Sequence, residues 1–240
     1  MKTPYSTTTT AVGATGTPAR FLLLGDSHAG AVGRAAQAAG LPFQGGPVGS
    51  GREFNADFFD VDPRGGDVVF RDTEADRRYR GFLDALGVDG LDRLPIPLVC
   101  TFGLSMHTLA TTEYWRIYRD PRGVFAPGFL TAGLFADIVR TMVRGALAFY
   151  AHALDLGLRV LAVLPPQRVP GMSDPDVFLA AQETVRGELE RLGVELVDLR
   201  PRVTDATGFQ RPAFCEAADT IHGNLAFGRL IVHDLLARGL

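Results

Sequence analysis

Two short segments at opposite ends of the chain combine residue types that can carry out nucleophilic chemistry. Ser27 lies in the sequence Gly-Asp-Ser-His at positions 25–28, and Asp219 precedes His222 by three residues. A serine hydroxyl needs a base to remove its proton, and a carboxylate can hold that base in the required tautomer. These residue types therefore predict a catalytic triad of Ser27, His222 and Asp219.

Each segment also has a simpler interpretation. Ser27 or Asp26 can cap a helix that starts at position 28. Asp219 or Thr220 can cap the last helix of the chain, with His222 incidental to it. Of the five histidines, His152 and His233 fall inside predicted helices, whereas His222 follows a polar loop that contains a carboxylate. His222 is therefore the candidate base.

Apolar runs alternate with segments of helical periodicity along the chain. The runs predict strands at 20–24, 41–43, 95–102, 158–164 and 194–199, and the periodic segments predict helices at 28–39, 132–156, 176–192 and 222–238. Strands and helices that alternate in this way form a parallel sheet covered by helices on both faces. Ser27 then lies at the carboxyl edge of the sheet, where such folds bind their ligands.

Together, the Gly-Asp-Ser-His and Asp-x-x-His segments resemble the SGNH hydrolases, also called the GDSL family, from Arg20 to the end of the chain. The resemblance implies a three-layer α/β/α fold around a five-stranded, mainly parallel, flavodoxin-like sheet. It implies hydrolysis of an ester or thioester through an acyl-serine. We expect the substrate to be an ester with a small or medium acyl group, and we expect no cofactor or metal. The resemblance also implies that the amides of Ser27 and Gly51 hold the oxyanion, with Gly49 as the alternative to Gly51.

One segment departs from the family pattern. The family has Gly-x-Asn after the third strand, whereas this chain has Gly103 followed by Ser105. A hydroxyl can donate in place of the amide, so Ser105 is taken as the third oxyanion donor, with His107 as the alternative. His28, His107 and Trp115 are expected to bind substrate, because His28 adjoins the nucleophile and Trp115 lies in an aromatic segment.

Three other functions are left open by the sequence. An acyltransferase would form the same acyl-serine and pass the acyl group to a different acceptor. A metal-dependent phosphoesterase would use Asp26 and His28 as ligands, with Asp67 in a second motif. A non-catalytic binding domain can also share this fold, because a fold does not determine a function.

Composition is that of an ordinary globular protein. The chain has 240 residues, of which 46% are hydrophobic, and its formal net charge of −3 lacks the basic excess of a nucleic-acid-binding protein. No segment reaches the roughly 20 apolar residues of a membrane span, and the first residues lack the apolar stretch of a secretory signal. We therefore expect a cytoplasmic protein whose partner is a small acyl ester, with no nucleic acid and no membrane; its oligomeric state is left open.

The chain is expected to form one domain. Residues 1–19 are predicted to be a disordered tail, and residues 20–240 a single domain with insertions at about 57–94 and 105–130. The first insertion is predicted to contain a short strand at 68–70 and a helix at 77–86. The aromatic second insertion either forms a wall of the site or packs onto the domain, and Cys100 and Cys215 are expected to be buried free thiols.

Overall fold

The computed structural model describes residues 18–240, so the predicted tail lies outside the described residues except for its last two positions. The strands of this part of the chain are β1 (Leu22–Gly25), β2 (Gln44–Pro47), β3 (Phe59–Val61), β4 (Val68–Phe70), β5 (Leu98–Cys100), β6 (Val160–Val163) and β7 (Glu195–Val197). The helices are α1 (Ala29–Ala38), α2 (Thr73–Leu86), α3 (Met106–Leu109), α4 (Thr112–Trp115), α5 (Gly133–Met142), α6 (Arg144–Asp155), α7 (Pro175–Leu192), α8 (Arg200–Val203) and α9 (Leu225–Ala237).

The main sheet has five parallel strands in the order β2-β1-β5-β6-β7. Numbered along the chain within this sheet, the order is 2-1-3-4-5, which is the flavodoxin-like arrangement. Leu23 of β1 pairs with Gly45 on one side and with Val99 on the other. The predicted parallel, three-layer α/β/α fold is thus confirmed.

Both faces of the sheet are buried, which explains the continuous apolar runs. Leu22 and Leu24 face α2, α6 and α7, whereas Leu23 faces the layer formed by α1 and α9. Each of these leucines has no exposed surface, and burial of one such side chain contributes about 1.5–3 kcal/mol. The first strand, which leads into Ser27, is therefore fixed from both sides.

The second strand lies three residues later than predicted. Positions 41–43 were expected to form it, but β2 is Gln44–Pro47. Gly45 has φ +107°, and a Cβ atom there would lie 2.0 Å from the carbonyl oxygen of Leu23. The strand therefore uses glycine because the backbone of β1 approaches too closely for a side chain, and Phe43 instead stacks on Phe21 at 5.4 Å.

The long helix expected at 132–156 is divided into α5 and α6 at Val143. The carbonyl of Met142 accepts a hydrogen bond from the amide of Ala56 at 3.1 Å. A Cβ atom on Gly145 would lie 1.6 Å from the carbonyl oxygen of Ala56. The helix is thus interrupted where the loop after the 3-10 turn at Gly51–Phe54 crosses it.

Both predicted insertions contribute to the core of the domain. The first contains the antiparallel pair β3–β4 and α2, which begins earlier than the predicted helix at 77–86 because Asp72 caps the amide of Ala75 at 2.8 Å. The second contains α3 and α4, and its Trp115 packs at 5.0 Å from Phe135. Its aromatic residues therefore pack the segment onto the domain.

The two cysteines differ in their surroundings. Cys100 is buried, whereas Cys215 is partly exposed, which corrects the expectation that both thiols are buried; both are free. Burial raises the pKa of the Cys100 thiol well above its usual value. Within residues 18–240, we find no helix whose length and apolar character would allow it to cross a membrane.

We predict that Gly25→Ala destabilises the fold by about 1–3 kcal/mol, as overpacking of a filled interior does. A Cβ atom at Gly25 would lie 1.9 Å from Oγ1 of Thr101. The matched control is Gly187→Ala in α7, where a Cβ atom meets nothing within 4 Å; this change should stabilise the fold by about 0.5–1 kcal/mol. Urea unfolding of the three proteins measures both effects, and equal stabilities would contradict the close contact at Gly25.

Candidate active site

The side chains of Ser27, His222 and Asp219 form a continuous line of hydrogen bonds. Ser27 Oγ lies 2.8 Å from His222 Nε2, and His222 Nδ1 lies 2.8 Å from Asp219 Oδ2. In the tautomer with its proton on Nδ1, His222 donates to Asp219 and accepts from the serine hydroxyl. This is the arrangement that a nucleophile, a base and an orienting carboxylate require.

A tight turn brings Asp219 back onto His222. Asp219 Oδ1 accepts the amides of Ile221 at 2.8 Å and of His222 at 2.7 Å, which leaves Oδ2 for the imidazole. Partial burial acts to raise the pKa of Asp219, but the amides of His222 and Ile221 outweigh it and lower the pKa below its usual value. Asp219 is therefore held as a carboxylate.

The last helix does not begin at His222, as the sequence suggested. It begins at Leu225, with the side chain of Asn224 accepting the amide of Phe227 at 3.1 Å. His222 lies in the preceding loop because the asparagine, rather than Asp219, caps the helix. The carboxylate of Asp219 is thereby free to hold the imidazole.

Arg168 holds the loop that carries both residues, and the sequence analysis missed it. Its guanidinium donates to the carbonyl oxygens of Glu216 at 2.9 Å, His222 at 2.7 Å and Asp219 at 2.6 Å. Nη1 also lies 3.4 Å from Asp219 Oδ1. No motif marks this arginine, because its partners are backbone carbonyls about 50 residues further along the chain.

Asp26 is completely buried directly before the nucleophile. Its Oδ1 accepts the amide of His28 at 2.9 Å and the hydroxyl of Thr101 at 3.0 Å, and its Oδ2 accepts the hydroxyl of Ser105. The Ser105 hydroxyl therefore donates its single proton in a hydrogen bond to Asp26. This corrects the expectation that Ser105 donates to an oxyanion, since the structure gives that proton another acceptor.

Two backbone amides are available near the nucleophile. Among the described residues, neither the amide of Ser27 nor that of Gly51 has a hydrogen-bond acceptor. Gly51 packs against the site, because a Cβ atom there would lie 2.5 Å from Ser105 Oγ and 3.1 Å from Asp26 Oδ2. Gly49, the alternative, packs instead against the Glu53 side chain, which a Cβ atom would approach to 2.3 Å.

Two further histidines lie close together near His222. The ring of His28 is 5.1 Å from that of His222, and the ring of His107 is 6.2 Å from that of His28. Burial lowers the pKa of His28. Burial, together with the neighbouring His28, lowers the pKa of His107 to about 4. Both imidazoles are thus neutral at pH 7, and their part in binding substrate stays a prediction.

Trp115 does not lie in the site, and this expectation is wrong. The side chain is 1% exposed, and its indole nitrogen donates to the carbonyl of Leu109 at 2.9 Å. It packs among Tyr118, Phe129 and Phe135, at ring distances of 5.8, 6.4 and 5.0 Å. A substrate cannot contact a side chain buried in this way.

Both carboxylates named for a metal site, Asp26 and Asp67, accept hydrogen bonds from other protein groups. Asp67 accepts hydrogen bonds from Tyr79 and Arg80 and from the amide of Leu91, in the segment around β4 and α2. Asp26 accepts hydrogen bonds from two hydroxyl groups and one backbone amide. Within residues 18–240, no three His, Cys, Asp or Glu side chains are grouped so that they could hold a metal ion.

Comparisons with known proteins give matches among solved structures only. No family model and no curated protein matches the chain. A GDSL-like lipase from Bacteroides thetaiotaomicron is 13% identical, with 91% of this chain and 86% of that chain covered and a TM-score of 0.49. A lipase/acylhydrolase from Enterococcus faecalis is 15% identical, with coverage of 91% and 96% and a TM-score of 0.43. An acetyl xylan esterase is 11% identical, with coverage of 92% and 100% and a TM-score of 0.43. Similarity at this level concerns the fold alone and carries no information about activity.

We predict that Arg168→Gln slows the reaction of Ser27 with a fluorophosphonate probe by about 10–100-fold, since a small displacement of the base has effects of that size. The labelling rate of Arg168→Lys should fall between those of this variant and the native chain, because lysine keeps the charge but has no planar fork of donors. The matched control is Arg64→Lys, at a surface pair whose arginine side chain is 83% exposed. Equal labelling rates for all four proteins would contradict the role of Arg168.

We predict that the free energy of unfolding decreases as the pH falls from 6.5 towards 4. The pKa of His107 is about 4 in the folded chain and 6.5 is its ordinary value, so the unfolded chain binds more protons in this interval. His107→Gln should make this decrease shallower, because glutamine binds no proton. Urea unfolding at pH 7, 6, 5 and 4.5 measures the slopes, and identical slopes for both proteins would contradict the lowered pKa.

Proposed function

We propose that this chain is a serine hydrolase of the SGNH, or GDSL, type that cleaves a carboxylic ester with a small or medium acyl group. The observation that carries the proposal is the hydrogen-bonded line from Ser27 through His222 to Asp219, with both distances at 2.8 Å. Helix capping alone would require no contact between Ser27 and a side chain that lies 195 positions away in the sequence.

The first half of the reaction forms an acyl-serine. Ser27 Oγ attacks the ester carbonyl carbon while His222 Nε2 takes the hydroxyl proton, and Asp219 stabilises the resulting imidazolium. The carbonyl oxygen becomes an oxyanion, which the amides of Ser27 and Gly51 stabilise. The tetrahedral intermediate then collapses, the bond to the alcohol oxygen breaks, and the alcohol leaves with the proton from His222.

The second half restores the enzyme. A water molecule loses its proton to His222 and attacks the acyl carbon, and the same amides hold the second oxyanion. The bond between the carbonyl carbon and Ser27 Oγ then breaks, the serine oxygen regains the proton, and the carboxylic acid leaves. An acyltransferase would differ only in this half, where an alcohol takes the place of water.

We predict that a fluorophosphonate adds one covalent group to the native chain and none to Ser27→Ala. Asp219→Asn should still bind ester but turn it over more slowly by on the order of 10³–10⁴, because the amide favours the wrong tautomer of His222. Intact-mass spectrometry measures the adduct, and release of acid from p-nitrophenyl acetate and butyrate measures turnover.

Thermal unfolding of each variant serves as the control for folding. A native chain that forms no adduct and cleaves neither ester would contradict the proposal and would favour a non-catalytic binding domain. An adduct at Ser27 with acyl transfer to an added alcohol in preference to water would identify an acyltransferase instead.

A further inference from the structure

We propose that the imidazole of His107 donates the third hydrogen bond to the oxyanion, in the place where the sequence analysis expected Ser105. The inference rests on the proposed esterase activity, and it chooses between the two residues that the sequence offered as the third donor. Three observations support it: the Ser105 hydroxyl donates to Asp26, the His107 ring has no hydrogen-bond partner within residues 18–240, and that ring lies 6.2 Å from the ring of His28.

The Ser105 hydroxyl cannot serve the oxyanion without leaving Asp26. A serine has one hydroxyl proton, and here that proton is donated to Asp26 Oδ2. Asp26 has no exposed surface, so loss of a partner would leave a buried carboxylate short of a hydrogen bond, which is strongly unfavourable. Ser105 therefore supports the turn before the nucleophile.

The ring of His107 has nitrogen atoms to offer. Among the described residues, neither ring nitrogen of His107 makes a hydrogen bond. Neither of them is among the fully buried polar atoms. Its backbone is fixed, because its carbonyl oxygen accepts the hydroxyl of Ser173 at 2.7 Å. The side chain is partly exposed, so a substrate oxygen can approach the ring.

His107 follows by two residues Ser105, whose side chain packs against Gly51. It lies in α3, directly after β5, the strand next to β1 in the sheet. The ring of His28 lies 5.1 Å from that of His222 and 6.2 Å from that of His107. His107 also experiences the charge of Arg52, the residue that follows Gly51.

The charge state of His107 suits a donor. Burial lowers its pKa to about 4, the neighbouring imidazoles of His28 and His222 and the cation of Arg52 act in the same direction, and Asp26 opposes them. A neutral imidazole keeps one N–H and can act as an electrophile towards a developing oxyanion. His28 is less suited to donate to an oxyanion, because its side chain is buried, with 6% exposure, and its Nδ1 is fully buried.

The test compares three substitutions at this position. His107→Phe keeps a ring but removes the donor, and it should lower kcat for p-nitrophenyl butyrate by about 100-fold with KM within threefold, as loss of one oxyanion donor does. His107→Gln and His107→Asn place an amide N–H near the positions of Nε2 and Nδ1, and one of them should retain at least a tenth of the native kcat. His233→Gln, at an exposed position on α9, is the matched control and should behave as the native chain.

Each outcome tests either the inference about His107 or the proposed function. Native kcat in His107→Phe would overturn the inference, and so would a rise in KM with unchanged kcat, which indicates a binding wall. Equal losses of kcat in all three variants would overturn it as well, because a donor should be restored by an amide. A native chain that neither labels at Ser27 nor cleaves the ester would instead overturn the proposed function, and melting temperatures identify any variant that fails to fold.

Discussion

The geometry of the site depends on the buried carboxylate of Asp26. Removing such a charge from water costs several kcal/mol, which only well-formed hydrogen bonds offset. The partners of Asp26 come from three places: the amide of His28 at the start of α1, the hydroxyl of Thr101 after β5, and the hydroxyl of Ser105. Satisfying this one group therefore fixes the turn that presents Ser27 and joins it to the loop after the neighbouring strand.

The base reaches the nucleophile through the packing of two helices. Helix α1 follows Ser27, helix α9 follows the loop that carries His222, and the two helices pack side by side on one face of the sheet. Their close approach requires Gly228, where a Cβ atom would lie 2.3 Å from the carbonyl oxygen of Ala31. Arg168 then fixes the loop itself by donating to three of its carbonyls. Residues far apart in sequence are thus brought within hydrogen-bond distance by elements that take no part in the chemistry.

The sequence predicted those features whose cause is local or periodic. Alternating apolar runs and helical segments indicated the parallel sheet, and the spacing of Asp219 and His222 indicated a carboxylate that turns back onto an imidazole. Features that depend on distant contacts were missed. The position of β2 depends on the approach of the Leu23 carbonyl, and the burial of Trp115 depends on the aromatic residues packed around it. Neither leaves a pattern in the neighbouring residues.

The replacement of asparagine by serine at position 105 changes how many protons the site can offer. An asparagine amide carries two protons, so it can hold a neighbouring acceptor and still donate to an oxyanion. A serine hydroxyl carries one, and the buried Asp26 accepts it. In the proposed reaction, the carboxylate that positions Ser27 therefore removes a donor from the oxyanion. Such a site must either work with two amides or recruit another neutral N–H, and His107 lies two residues after Ser105, in α3. The serine at position 105 and the role proposed for His107 are thus linked through one buried charge.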